Sequence, residues 1–358
     1  MGVDSSPSPA WNDNFTSNIT RGLYLSTSPS DTSYWLSPSG NIAFGFYKLP
    51  CSVQHSSSSN CDRYVVGIWF VKSALKTLVW TANRNHLPLP KPSSILFTNQ
   101  GKLVLQVTQD NKEEPLIPDL QEPISYAKIH DNGNFVLYGS NSQIIWESFD
   151  YPTNTILGGQ KLKAGVDLVS RVSDMFNPGS GEYKLSIRQT DGLVAVHKFS
   201  DDGTYTHVVS KGFKGSIMNP VTLNLDKNTG NLFLVSSDDV VLGKLYEDTT
   251  QQPTQEEQKG MNKVFIYRAT LDSKGDFNLF KERIDGNVSA TNDKSFNLVP
   301  LWSSSHDKWT IGDYILFWLP CSASACFAGA ICYLWWDRKK KSIIGNWKSS
   351  QGDLELGK

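Results

Sequence analysis

The feature that most narrows the fold is a short unit, turn–Gly–x–apolar–x–apolar, that recurs along the chain. It reads SGNIAF at 39–44, QGKLVL at 100–105, NGNFVL at 132–137, DGLVAV at 191–196, TGNLFL at 229–234 and KGDFNL at 274–279. Each copy is a tight turn, where Gly tolerates positive φ, entering a strand with one buried face. A lone short hairpin is marginal in water, whereas three similar sheets about an axis bury what one cannot. Three copies before residue 150 and three after it predict two β domains of three-fold internal pseudo-symmetry, with a boundary near 150.

Composition agrees with an all-β reading. Before residue 313 no strong helical period is found, and short runs rich in Val, Ile, Phe, Tyr and Thr lie between Gly, Asn, Asp and Ser. Charged residues are 19% and the net charge is −1, so no basic field argues for nucleic acid. The 11 Trp residues suit sheet packing or sugar stacking. Cys51 and Cys61 flank the polar loop SVQHSSSSN, and a disulfide closing it is expected in an oxidising compartment. Asn14, Asn18 and Asn287 match the N-glycosylation acceptor pattern.

The run YILFWLPCSASACFAGAICYLWW, 314–336, is uncharged and holds the other three cysteines. About 20 helical residues span a hydrocarbon core of about 30 Å, so this run predicts a transmembrane helix. Its aromatic ends suit the two interfaces, and the DRKKK that follows belongs on the cytoplasmic side. The expected topology is single-pass type I in the plasma membrane, with the N-terminus outside. Residues 1–20 lack the basic and apolar regions of a signal peptide, which is expected to be missing from the chain as it begins here. The expected organisation is two β domains at 21–150 and 151–285, a juxtamembrane linker at 286–313, the helix at 314–336 and a short tail at 337–358.

The stretch HDNGNFVLY, 130–138, reads as a half-buried strand, with Phe135 and Leu137 on one face and Asn134, Val136 and Tyr138 on the other. Longer blocks carry a resemblance. YWLSPSGNIAFGFY, YVVGIWFVKSALKTLVWTANRN, WESFDYPTNTILGGQKL and VFIYRATLDSKGDF resemble the ectodomains of plant G-type lectin S-receptor-like serine/threonine kinases, over roughly 19–336. The resemblance implies tandem β-prisms of the bulb-type mannose-binding lectins, whose sugar strand is Gln-x-Asp-x-Asn-x-Val-x-Tyr. On that motif His130 stands at the Gln position and Asn132 at the Asp position, while Asn134, Val136 and Tyr138 match. The resemblance thus implies a degenerate carbohydrate site, since Asn132 lacks the charge that makes the stronger hydrogen bond, and the alternative is a purely structural strand. The equivalent positions Thr98, Gln100, Lys102, Val104 and Gln106, and Lys227, Thr229, Asn231, Phe233 and Val235, read as scaffold.

The function expected from this is a membrane-anchored, lectin-like receptor ectodomain that recognises a mannose-type glycan or a protein ligand. It would associate with full-length receptor kinases as a co-receptor or decoy. Members of the resembled family continue into a kinase domain, whose Gly-rich loop, catalytic loop and metal-binding motif are not found in this sequence. No catalytic residue, cofactor or metal ligand is predicted. A truncated product without a function of its own is one alternative. A wall-polysaccharide hydrolase is the other, and it would need two carboxylates across a cleft; Asp131, Glu147 and Asp150 are near in sequence, but no motif unites them.

Overall fold

The computed structural model describes residues 18–50, 62–107, 112–117, 120–199, 205–212, 220–248, 264–286 and 298–305, all within one compact unit. Among them the chain is all-β, with a single 3-10 turn at Ser148–Asp150 as a helical element. The strands form six four-stranded antiparallel sheets in two sets of three. In the first set, β1 (Ile19–Thr20), β2 (Tyr24–Ser26) and β3 (Tyr34–Leu36) each start a different sheet. Three meanders then complete the sheets in reverse order. First β4 (Ile42–Lys48), β5 (Tyr64–Phe70) and β6 (Leu78–Thr81) join β3. Next β7 (Ser93–Phe97), β8 (Leu103–Val107) and β9 (Lys112–Pro115) join β2. Last, β10 (Tyr126–Ile129), β11 (Phe135–Tyr138) and β12 (Ile144–Glu147) join β1.

The second set repeats this path. Its starters are β13 (Thr155–Leu157), β14 (Lys161–Lys163) and β15 (Leu168–Ser173). The meanders are β16 (Asn177–Ile187), β17 (Val194–Lys198) and β18 (Tyr205–Ser210) on β15; β19 (Val221–Leu225), β20 (Leu232–Ser236) and β21 (Val241–Tyr246) on β14; and β22 (Phe265–Leu271), β23 (Phe277–Arg283) and β24 (Leu298–Ser303) on β13. The change of set falls between Glu147 and Thr155. The recurring glycine units are the turns that open β4, β8, β11, β17, β20 and β23.

Each set has its own core, because every sheet turns an alternating apolar face inward. In the first, Phe44 and Phe70, Phe97 and Ile95, and Phe135 and Leu137 come from the three sheets, with Trp80 and Trp146 at the margin. In the second the contributors include Leu185 and Val196, Leu223 and Leu234, and Leu279 and Phe277. Strand β5 (YVVGIWF) is buried along its whole length. Its inward residues join the first core, while Val65 and Trp69 pack with Ala43 and Leu78 on the outer face. That burial on both faces is why its sequence is a continuous apolar run rather than an alternation.

The two sets are joined by buried polar contacts. The Arg84 guanidinium donates to the carbonyls of Val169 (2.8 Å), Ser170 (2.8 Å), Pro178 (3.1 Å) and Gly179 (3.2 Å). In the other direction Arg171 donates to the Leu78 carbonyl at 2.5 Å. Burial pushes both guanidinium groups down to about 10, so both stay charged at neutral pH. Trp80 Nε1 donates to the Tyr151 carbonyl at 2.7 Å.

One expectation is corrected. The weak periodicity of 286–313 predicts a linker, but Leu298–Ser303 is β24, the fourth strand of its sheet. Pro300 lies within it, and an edge strand tolerates the missing N–H. At the other end, the first domain gains Ile19 and Thr20, which pair with Ala127 and Tyr126. The 314–336 run, all five cysteines, Asn14 and Asn287 lie outside the described residues, among which no helix is long and apolar enough to cross a membrane. Asn18 is described and is exposed.

Candidate functional site

The strand singled out by sequence is the β11 hairpin arm. Its turn is closed by His130 N donating to the Asn134 carbonyl (2.9 Å) and Gly133 N to the His130 carbonyl (3.0 Å). Gly133 has φ +89° and a Cβ there would lie 2.4 Å from Leu157 Cδ1, so both conformation and space call for glycine. Asn132 is exposed in the turn, and its Oδ1 accepts from the Asn134 amide at 3.1 Å. Asp131 accepts from the Ser39 amide at 2.9 Å, which ties this turn to the one opening β4.

From the turn onward the pleat sorts the residues as the alternation predicts. Phe135 and Leu137 are fully buried in the first core. On the outer face Lys128, Val136 and Glu147 form one cross-strand row, and Tyr126 pairs with Tyr138. The two tyrosine rings stack at 4.6 Å and 11°. His130 Nε2 and Tyr138 Oη are hydrogen-bonded at 3.0 Å. Burial and the nearby Lys128 push the His130 imidazole below its usual range, so it is neutral at pH 7; burial beside Tyr126 and Glu147 pushes the Tyr138 phenol up.

Of the five predicted residues, His130, Asn134, Val136 and Tyr138 therefore share one face, with Asn132 at its end. Asn134 is 8% exposed and hydrogen-bonded at both its side-chain oxygen and nitrogen. Its Oδ1 accepts from Ser148 Oγ (3.1 Å) and Phe149 N (3.2 Å), and its Nδ2 donates to Glu147 Oε2 at 2.6 Å. Val136, 2% exposed, is the apolar floor. Glu147, which the sequence offers only as one of three neighbouring carboxylates, joins this face. It stands opposite Val136 only by the register of β12, which no local pattern discloses. Among the Thr98–Gln106 equivalents, Gln106 accepts from Ser94 Oγ (3.2 Å) and donates to Glu113 Oε1 (2.6 Å).

The topological equivalent of this face in the second set is β23, entered by the turn 272–276. There Asn278 and Phe280 are buried. The first set covers it: Glu282 Oε1 accepts from Ser73 Oγ at 2.5 Å and Thr77 Oγ1 at 2.6 Å. The β23 face is thus part of the junction, while on the β11 face Asn132 is exposed and Tyr138 and Glu147 are half-buried.

In that turn Asp272 accepts from the amides of Lys274 and Asp276 (both 2.9 Å) and from Asn278 Nδ2 (3.0 Å). Burial, reinforced by Asp174 and Asp276, pushes its carboxyl up to about 6. The fold thus takes up a proton near pH 6 that the unfolded chain takes up only near pH 4, so this group stabilises the fold as pH falls. Compared with Asp272→Asn, the wild type should gain about 1 kcal/mol in unfolding free energy between pH 7 and pH 5. Urea titrations at the two pH values check this, and a difference independent of pH would mean that Asp272 is ionised in the fold.

Residues 77–176 match the family model described as D-mannose binding lectin. The chain is similar to two rice receptor kinases. One is the G-type lectin S-receptor-like serine/threonine-protein kinase LECRK1 of Oryza sativa subsp. japonica, 34% identical over 189 residues, covering 50% of this chain and 22% of that protein. The other is LECRK3 of Oryza sativa subsp. indica, 28% identical over 308 residues, covering 83% and 33%. Among solved structures, the two-domain fetuin-binding lectin of Scilla campanulata aligns with 79% of this chain and 93% of its own at 14% identity, with a TM-score of 0.24. The family and kinase matches support the expected bulb-type lectin domain and its homology to lectin receptor kinases. The chain spans about a quarter to a third of the length of these kinases.

Proposed function

We propose that this chain is the lectin-like ectodomain of a membrane-anchored receptor, and that the outer face of β10–β12 recognises a mannose-type glycan. The observation that carries this reading is the register of that face: His130, Asn134, Val136 and Tyr138 lie together, with Asn132 at the end, inside the stretch that matches the lectin model. A hexose needs hydrogen-bonding partners for its hydroxyls and a small apolar contact for its C–H face. Val136 is the apolar floor beneath the face, and Asn132, Tyr138 and His130 supply the polar groups. The reading extends to two β-prism units, β1–β12 and β13–β24, a Cys51–Cys61 disulfide and glycans at Asn14, Asn18 and Asn287. It further extends to a type I transmembrane helix at 314–336, and to action as a co-receptor or decoy beside complete receptor kinases.

A protein ligand is the second reading, favoured by one observation: Asn134 is hydrogen-bonded at both its side-chain oxygen and nitrogen, and the Tyr138 hydroxyl is paired with His130. A glycan array and mannose titration separate the two. A shallow single site should bind mannose with a dissociation constant of about 1 mM. Tyr138→Phe removes one hydroxyl while the ring keeps its stack on Tyr126, and should weaken binding about tenfold. Absence of glycan binding by the wild type would overturn the glycan reading in favour of a protein ligand.

A further inference from the structure

We propose that Glu147 supplies the charged hydroxyl acceptor of the β10–β12 face, taking the part that Asn132 cannot, for a neutral hexose with vicinal hydroxyls. The inference rests on the glycan reading above.

Glu147 ends β12 directly across from Val136, on the same face and one strand over. Residues opposite each other in an antiparallel pair bring their Cβ atoms to about 5 Å. Its carboxylate therefore borders the apolar floor, with Lys128 on the far side of the same row. Asn134 Nδ2 donates to Oε2 at 2.6 Å and fixes the carboxylate, while Oε1 has no hydrogen-bond partner among the described residues. Glu147 is half-buried, and among the described residues the one fully buried side-chain polar atom without a partner is Thr153 Oγ1, so the unpartnered Oε1 reaches the surface. The other carboxylate near the turn, Asp131, is taken up by the Ser39 amide. Asn132 uses its one acceptor oxygen on the Asn134 amide.

The division of labour follows from these contacts. Asn134 serves as the positioning residue for Glu147, since its amide and carbonyl are both spent within the fold. Glu147 accepts hydrogen bonds from one or two adjacent hydroxyls, Lys128 and Asn132 Nδ2 donate from the flanks, and Val136 is the floor beneath the ring. An acceptor that is ionised makes a hydrogen bond stronger than a neutral one, and this is the charge that Asn132 lacks.

The test titrates free mannose into the full chain in detergent micelles, followed by saturation-transfer NMR. Glu147→Gln should bind about tenfold more weakly, since it keeps an acceptor for Asn134 but loses the charge. Adding Asn132→Asp to that variant returns a carboxylate to the face and should restore affinity to within about threefold of wild type. Circular dichroism should show the same melting transition for all three proteins. If wild type binds mannose and Glu147→Gln binds as well, the inference fails while the glycan reading stands. Loss of binding without rescue by Asn132→Asp also overturns it, because the residue then acts only by tying β11 to β12. If wild type binds no mannose, the glycan reading falls and this inference with it.

Discussion

Glu282→Ala should destabilise the chain by about 3–5 kcal/mol, because it strands a buried arginine. Glu282 is 1% exposed. Its Oε2 accepts from Arg268 Nε at 2.7 Å, and its Oε1 accepts from Ser73 and Thr77 of the first set. Arg268 has one further side-chain bond, to Thr270 Oγ1 at 3.0 Å, and its guanidinium lies 4.3 Å from the centre of the Phe280 ring. Removing the carboxylate leaves a buried cation without its counter-ion and two hydroxyls without their acceptor. The paired replacement Arg268→Met with Glu282→Leu should recover most of the loss, since a buried ion pair exchanged for apolar side chains is often neutral. The unmatched hydroxyls of Ser73 and Thr77 remain as the residual cost, about 1–3 kcal/mol each when buried. Urea unfolding followed by tryptophan fluorescence measures all three proteins. A loss below about 1 kcal/mol for Glu282→Ala would show that water reaches Arg268 and that the junction is open.

The same residues mark where sequence reading stops. Strand–turn units are local: a glycine turn followed by alternating apolar residues specifies a half-buried strand wherever it stands, so six openings and the face assignment of Phe135 and Leu137 could be read directly. Which sheets meet is a different matter. Arg84, Arg171, Arg268 and Glu282 look like ordinary surface charges, since such residues are mostly exposed. Their burial depends on which outer face of one set meets the other set. The β23 face resembles β11 in pattern, yet it is covered, and nothing within KGDFNLFKE distinguishes a face that meets solvent from one that meets a partner sheet. Strand β24 escaped for a simpler reason, since Pro300 and the surrounding serines break an otherwise apolar run. The place of Glu147 on the β11 face escaped because cross-strand register, which sets it beside Val136, is decided by the turn between β11 and β12 and by the bulge at Leu137/Tyr138.

Phe135→Ala should cost about 3–5 kcal/mol and impair the outer face together with the core. The Phe135 ring is fully buried, stacks on Phe44 with centroids 3.8 Å apart and planes 7° apart, and meets Trp146 edge-on at 6.4 Å. Phe44 and Phe135 come from different sheets, so this stack is a contact across the centre of the first set. Truncation leaves a cavity that three sheets must share, and such sites relax poorly. The stack itself should appear as about 0.5–1.5 kcal/mol of coupling in a double-mutant cycle with Phe44→Leu. Function follows through the pleat. Phe135 lies between Asn134 and Val136, so a strand that sinks into the cavity rotates both outer residues away from Glu147. Phe135→Leu refills most of the volume and should retain both stability and mannose binding better than alanine. Urea unfolding and mannose titration on the same preparations read the two effects, and an alanine variant within about 1 kcal/mol of wild type would mean that β11 is not held by this core.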